Sequence, residues 1–288
     1  MPDPAAFPSA PPFTLRGRVV SPLGDGGLLD LADGRAEPIG PGGADILPTY
    51  AGPAEGIVYV ARSLHPVQIV ALSLDGGAPT TVAANGASPA VTPDGRLLAY
   101  TYGGAPSSET AIMIRNLADG SERALTSVVP EPDWVSVNGL TFSADGRRLA
   151  FVWIRANPDD TDDVEREIRV VDVATAQTLD DAVAFGPGDP GRTWVEPTFR
   201  GRFDTLAVVE QSRSGPSGRS TVLSVDPATG EVLATLFMVN QPVASLDADA
   251  SGFHLVFSVE DGSSYTVYRW SGGEPELVGT GLAAAIWE

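Results

Sequence analysis

The chain has 288 residues, of which 37 are acidic and 18 basic, so its formal net charge is −19. This charge repels phosphate backbones and anionic lipid surfaces, and we expect no nucleic-acid partner. No apolar stretch approaches the roughly 20 residues needed to cross a bilayer, so we expect no insertion into a membrane. The absence of cysteine excludes disulfides, thiolate nucleophiles and cysteine-ligated metal centres. Every basic residue is arginine, and the absence of lysine excludes Schiff-base chemistry and a P-loop lysine.

The chain begins with a proline-rich segment, residues 1–12, which holds five prolines and little that can pack. We interpret this segment as an arm or linker. From residue 13 to residue 288 the sequence pattern is uniform. Short apolar runs alternate with Gly, Pro, Asp and Asn, which is typical of an all-β domain. We therefore expect one domain over 13–288. An exported, periplasmic or extracellular location is favoured over a cytoplasmic one, and a monomer is expected.

Residues 13–40 supply three predicted strands, FTLRGRVV, GGLLDLADG and RAEPIG, which look like the second, third and fourth strands of a unit that lacks a first. Similar units follow along the chain, each with an apolar residue at the same place before a turn. The spacing between these apolar residues is 43 to 56 residues, which is near the length of one four-stranded propeller blade. Their positions are Leu31, Leu74, Leu117, Val173, Val225 and Trp270.

Two tight turns, TPDGRLLAYTY over 92–102 and SADGRRLAFVW over 143–153, precede apolar strands. The fixed φ of Pro93 suits the first central position of such a turn. Gly95 and Gly146 can adopt the positive φ that is needed where the chain leaves the turn. We predict a hairpin between neighbouring strands at each turn.

The last residues, GLAAAIWE over 281–288, resemble a first strand with no partner after it. A circular array removes unpaired sheet edges when one blade is built from both chain ends. The sequence therefore predicts an all-β, six-bladed β-propeller, closed by a C-terminal strand that joins three N-terminal strands.

The segments Thr92–Tyr100 and Ser143–Phe151 resemble the repeats of TolB-like propellers, a WD-like family. The Trp that usually opens this motif is replaced by Val91 and Phe142, although Trp287 lies at the equivalent place of the last strand. The resemblance implies a propeller over residues 13–288 that binds proteins and is not an enzyme.

Catalytic motifs are poorly represented. A serine hydrolase needs a G-x-S-x-G elbow and an oriented base, but His254 lies only three residues from Ser251 and no elbow is present. The acidic run over 157–167 has the carboxylates of a calcium loop without the central glycine of an EF-hand, so we interpret it as a solvated acidic hairpin. We expect no cofactor, with structural calcium as the alternative. The secondary metal candidates are Asp159, Asp160, Asp162 and Asp163.

The long loops all open on one face of the predicted propeller, opposite the tight turns. Variable loops on a rigid scaffold are common binding sites. Two long blade connections each carry a tryptophan with charged neighbours, and Trp and Arg are frequent interface anchors. The alternative is that both tryptophans fill gaps between blades. The candidate partner-binding residues are Trp134, Trp194, Arg192, Glu131, Asp133 and Glu196.

The leading hypothesis for function is a non-enzymatic scaffold that binds a protein or peptide in the cell envelope or outside the cell. The second hypothesis is a module that binds carbohydrate or a cell-wall polymer through aromatic side chains in the same loops. The third is a hydrolase with a metal or carboxylates on the propeller axis.

Overall fold

The computed structural model describes most of the chain from residue 18 onward. The described residues are 18–22, 28–30, 37–39, 46–54, 57–62, 67–73, 78–102, 110–128, 134–157, 160–176, 181–189, 191–212, 218–249, 251–262, 264–280 and 285–287. The predicted proline-rich arm, 1–12, lies outside them.

The described strands form six four-stranded antiparallel sheets, and five of these consist of four consecutive strands each. The first two of these sheets contain β4 Ile46–Ala54, β5 Ile57–Arg62, β6 Gln68–Ser73 and β7 Thr80–Ala84, then β8 Gly86–Val91, β9 Leu97–Tyr102, β10 Thr110–Asn116 and β11 Glu122–Val128. The third contains β12 Trp134–Phe142, β13 Arg148–Asn157, β14 Asp160–Asp172 and β15 Val183–Phe185. The last two contain β16 Arg192–Arg200, β17 Thr205–Ser212, β18 Ser220–Val225 and β19 Val232–Val239, then β20 Val243–Ala248, β21 Leu255–Asp261, β22 Ser264–Trp270 and β23 Glu276–Thr280.

The sheets are arranged as a β-propeller. The first strand of each sheet contacts the first strand of the next, in the order β4, β8, β12, β16 and β20. These innermost strands surround the axis of the molecule, and the later strands of each sheet lie progressively further from it. Strand β8 pairs with β9, and β12 pairs with β13, which confirms the hairpins predicted at the two tight turns.

The chain ends form the remaining sheet, in the order β24-β1-β2-β3. Its strands are β1 Arg18–Pro22, β2 Leu28–Asp30, β3 Glu37–Ile39 and β24 Ala285–Trp287. Val19 pairs with Ile286, which confirms the predicted pairing of the C-terminal strand with the N-terminal ones. Strand β24 also contacts β20 and β4, so this terminal sheet lies between the last and the first blade.

The number of blades differs from the prediction. The prediction of a six-bladed propeller is wrong: the structure has five blades, and the strands expected to make a sixth full blade form the short terminal sheet instead. Three of its four strands are only three residues long. Side chains alternate between the two faces of a strand, so a three-residue strand places only one or two on each face. The terminal sheet is therefore much shorter than the five sheets of consecutive strands.

The hydrophobic core lies between neighbouring blades. Central strands such as β17 and β21 are buried on both faces, which explains their continuous apolar sequences. Phe151 of β13 packs with Ile112 of β10 in the layer between two blades, and Leu206 of β17 packs with Val170 of β14 in the next layer. The outer strand β19 is mostly exposed or half-buried, and Phe237 is its buried residue.

The two tight turns are built as the sequence predicts. The Thr92 hydroxyl donates to Asp94 Oδ1 at 2.6 Å and accepts from the backbone N–H of Leu97 at 3.0 Å. Ser143 and Asp145 repeat the first of these contacts at the same distance. The hydrogen bond from the Thr92 hydroxyl is the largest cause that lowers the pKa of Asp94 below its ordinary value. Each turn is therefore closed by a hydrogen bond from a hydroxyl side chain to an aspartate two residues later.

Candidate functional site

Two of the predicted partner-binding residues begin neighbouring innermost strands. Trp134 is the first residue of β12 and Arg192 the first residue of β16, and these two strands are in contact. Both strands start on the face that carries the blade connections. The fold thus places the beginnings of these two strands together. The side chain of Trp134 and the whole of Glu131 and Asp133 lie outside the described part of the molecule.

Trp194 is a packing residue. Its side chain is only 3% exposed and meets the ring of Phe185 edge-on, with ring centroids 6.2 Å apart. The indole N–H donates to Glu210 Oε2 at 3.2 Å. Trp194 therefore joins β16 to the blade before it and offers a partner very little surface, which favours the alternative of a gap-filling tryptophan. Arg192, two residues earlier, is half-buried and retains accessible surface.

Glu196 lies in the middle of β16, within a bulge. The pairing of β16 with β17 shifts between Val195 and Thr198, so residues 196 and 197 bulge out of the ladder. Glu196 has a φ of 49°, in the left-handed region that costs a non-glycine residue about 1 kcal/mol or more. Its side chain is half-buried, and burial raises the pKa of its carboxyl to about 7.

The bulge recurs in neighbouring blades. The pairing of β12 with β13 shifts between Asn138 and Thr141, and the bulge there holds Gly139, with φ 61°. The corresponding residue of β8 is Ser88, with φ 48°. A left-handed residue at this position of three consecutive innermost strands is thus a property of the repeat, and only in β16 is that residue ionisable.

Other polar side chains near this bulge have partners. The Thr198 hydroxyl donates to Asp247 Oδ1 on β20 at 3.4 Å. The Glu210 carboxylate accepts the indole N–H of Trp194, as described above. Among the residues that the structure describes, no hydrogen bond or ion pair to the carboxylate of Glu196 is found. Glu196 is therefore an ionisable group in a strained and partly enclosed position, without a described stabilising contact.

The acidic run forms the hairpin that the sequence predicts. Strands β13 and β14 are 10 and 13 residues long, and they continue to pair through Arg155 with Glu165 and Ala156 with Val164. Asp160, Asp162 and Asp163 thus belong to β14, although their side chains and all of Asp159 lie outside the described set. Within the described residues, no group of three or more metal-ligating side chains is brought together.

A serine, a histidine and an aspartate do approach one another at the turn between β20 and β21. His254 Nδ1 lies 2.8 Å from the hydroxyl of Ser271, whereas its Nε2 is 3.9 Å from Asp249 Oδ2, too far for a hydrogen bond. Asp249 accepts instead from the Ser251 hydroxyl at 2.6 Å and from the backbone N–H of His254. Burial is the largest cause that lowers the pKa of His254. The cluster therefore closes a turn, in the same way that Thr92 and Asp94 close theirs.

Arg200 connects this turn to the preceding blade. Its Nε donates to the carbonyl of Gly252 at 3.0 Å, and its guanidinium lies 4.7 Å from the centroid of the Phe203 ring. The side chain is buried, and burial lowers the pKa of Arg200 to about 10, against the opposing effect of the nearby Asp249 carboxylate. This contact is structural and holds the last two blades together.

The sequence reasoning named Glu196 only as a neighbour of Trp194 and missed its place in the bulge. A signal was present. Glu196 and Ser88 each precede a proline, and each lies four residues before the first residue of the tight turn, which is Arg200 in one blade and Thr92 in the other.

Comparisons with known proteins identify the fold. No protein-family model matches the sequence, and no curated protein matches it. TolB from Acinetobacter baumannii is similar in structure, with a TM-score of 0.66, 15% identity, and coverage of 96% of this chain and 68% of TolB. A nidogen/laminin complex gives a TM-score of 0.63 at 17% identity, covering 94% of this chain and 97% of the other. An oligogalacturonate lyase in complex with manganese gives 0.52 at 14% identity, covering 95% and 86%. The β-propeller fold predicted through the TolB-like repeats is thus supported, and the same fold occurs in an enzyme.

Proposed function

We propose that this chain is a non-catalytic propeller that binds a basic protein segment through the face carrying the blade connections. The similarity to TolB and to a propeller found in a nidogen/laminin complex supports a protein-binding role at the level of the fold. Below 25% identity such similarity identifies no partner. The features of this face indicate the chemistry of the partner.

The extended hairpin of β13 and β14 is the observation that carries the proposal. The corresponding strands of the other four blades are six to eight residues long, so this hairpin continues beyond its blade. The described core layers extend as far as Ile154 on β13 and Ile168 on β14. The continuation lies beyond these described layers, and a projecting element of this kind is available to a partner.

Charge selects the partner. The continuation of the hairpin carries Asp160, Asp162, Asp163 and Glu165, and the whole chain has a net charge of −19. Such a surface attracts a basic partner and speeds its association at low ionic strength. The effect weakens as the Debye length falls to about 8 Å at physiological salt. We therefore expect the partner segment to be rich in arginine and lysine.

The test is a selection of random peptides displayed on phage against the immobilised protein. Two variants separate shape from charge. In the first, residues 157–163 are replaced by Asn-Gly, which joins Ala156 to Val164 through a two-residue turn. In the second, Asp160, Asp162 and Asp163 are changed to Asn at full hairpin length. We expect selected peptides rich in Arg and Lys that bind both variants at least tenfold more weakly, at unchanged melting temperature.

Two results would contradict the proposal. Peptides that bind the shortened variant as tightly as the parent would show that the hairpin is not the site. Enrichment of no peptide, together with binding on a glycan array, would favour the carbohydrate hypothesis instead. Hydrolysis of an arrayed glycan would favour the axial hydrolase.

A further inference from the structure

Glu196 lacks an obvious structural reason for its identity. At the equivalent bulge of β12 the residue is Gly139, which adopts a positive φ without a Cβ penalty. A Cβ added to Gly139 would meet Pro197 Cδ at 3.4 Å, so the two bulges lie against each other. The fold therefore accepts glycine at this position, and the side chain of Glu196 is not needed to form the bulge.

The cost of Glu196 is of two kinds. Its backbone is in the left-handed region, and its half-buried carboxyl has lost part of its hydration. In the described part of the chain no hydrogen bond or ion pair offsets the second cost. Strained backbone and ionisable groups without a stabilising contact are characteristic of ligand sites, because the ligand supplies the missing contact.

We propose that Glu196 is the receptor for a guanidinium or ammonium group carried by the partner segment. This inference rests on the proposed function and names the group that the site recognises. A carboxylate that pairs with an arginine makes short, charge-assisted hydrogen bonds, and these become stronger where the surroundings are partly dehydrated.

The nearest alternative occupant is a divalent cation. Calcium takes six to eight oxygen ligands, usually from several carboxylates. Asp247 on the neighbouring β20 accepts from Thr198. The described residues bring no group of three or more metal-ligating side chains together. The site therefore suits a single basic side chain better than a calcium ion.

The probes are two blocked tripeptides, acetyl-Gly-Arg-Gly-amide and the same peptide with citrulline, the neutral isostere of arginine. Binding to the intact protein is measured by isothermal titration calorimetry at pH 8, with calcium chloride as a separate titrant. The variants are Glu196→Gln and Glu196→Gly. The matched control is Glu231→Gln, which removes the same charge from an exposed position beside the turn between β18 and β19, on the opposite face.

We expect the parent and the Glu231→Gln protein to bind the arginine peptide at least fivefold more tightly than the citrulline peptide. Both Glu196 variants should lose this preference and still melt at or above the temperature of the parent. An unchanged preference in Glu196→Gln would overturn the inference. So would calcium binding that Glu196→Gln abolishes, or a fall in melting temperature that accompanies equal weakening of both peptides.

The two proposals fail separately. If displayed peptides bind the hairpin face but Glu196→Gln leaves their affinity unchanged, the proposed function stands and the role of Glu196 is wrong. If the arginine preference is found but no displayed peptide is enriched, Glu196 is a cation site and the proposed function is wrong.

Discussion

Gly139 and Glu196 occupy the same bulge position on neighbouring innermost strands, with φ angles of 61° and 49°. The two residues share a backbone conformation and differ in whether they carry a side chain. The repeat therefore determines the backbone conformation. The blade that contains β16 keeps this conformation but carries a carboxylate where the neighbouring blade has glycine. That difference marks β16 as the strand to test first, and its consequences can be measured by stability as well as by binding.

Changing Glu196 to Gln should alter how stability depends on pH. Burial raises the pKa of Glu196 to about 7 in the folded protein, above that of about 4.3 for an unfolded glutamate. The folded state thus binds this proton more tightly, and the stabilisation is complete below pH 4.3 and lost as pH rises through 7. Relative to Glu196→Gln, the parent should lose on the order of 2 kcal/mol of unfolding free energy between pH 5.5 and 8.5. Urea unfolding at several pH values measures the difference. Parallel pH profiles for the two proteins would contradict it.

Changing Trp194 to Phe should lower stability without abolishing the fold. Phe keeps most of the apolar contact with Phe185 but removes the indole N–H that Glu210 accepts. We expect a loss of about 1 kcal/mol in the free energy of unfolding, and a loss of about 3 to 5 kcal/mol for Trp194→Ala. Chemical denaturation measures both. A peptide affinity that falls for Trp194→Phe while stability is unchanged would identify the tryptophan as a partner anchor after all.

Changing Arg200 to Ala should destabilise the contact between the last two blades. The substitution removes the hydrogen bond to the Gly252 carbonyl and the contact with Phe203, and it leaves the buried Asp249 carboxylate without its nearby cation. Loss of a buried charge next to its counter-charge costs roughly 3 kcal/mol. Arg96→Ala is the control, because the Arg96 side chain is 81% exposed, and it should change stability by less than about 0.5 kcal/mol. Equal effects in urea unfolding would argue against the structural role of Arg200.

Deleting residues 281–288 should lower the melting temperature. The deletion removes β24, which pairs with β1 and contacts β20 and β4. An unpaired edge on β1 and the loss of contact between the last blade and the first should open the ring. Deleting residues 1–12 instead should have no such effect if they are a linker. Differential scanning calorimetry compares the two truncations, and equal melting temperatures for the parent and the C-terminal truncation would refute the role of β24 in closure.

The sequence alone determined the all-β class with its short strands, the tight turns and the pairing of the chain ends. Turn chemistry is local, because Thr92, Asp94 and Gly95 make the contacts of the turn among themselves and with the residues beside them. Central strands could be recognised because burial on both faces requires a continuous apolar run. The sequence predicted six blades because a spacing argument counts repeats without measuring strand length. Three-residue strands at the ends satisfy the spacing but are too short for a full blade.

The site depended on tertiary structure. Trp194 looks the same in sequence whether it is exposed or buried, and its burial depends on Phe185 and Glu210, which lie on other strands. Glu196 owes its strained φ and its raised pKa to a bulge and to the packing of neighbouring innermost strands around it. Local sequence specifies turns and alternation, because those forces act between residues near in the chain. Desolvation and strain at the axis arise only when distant strands meet, and only the folded molecule decides them.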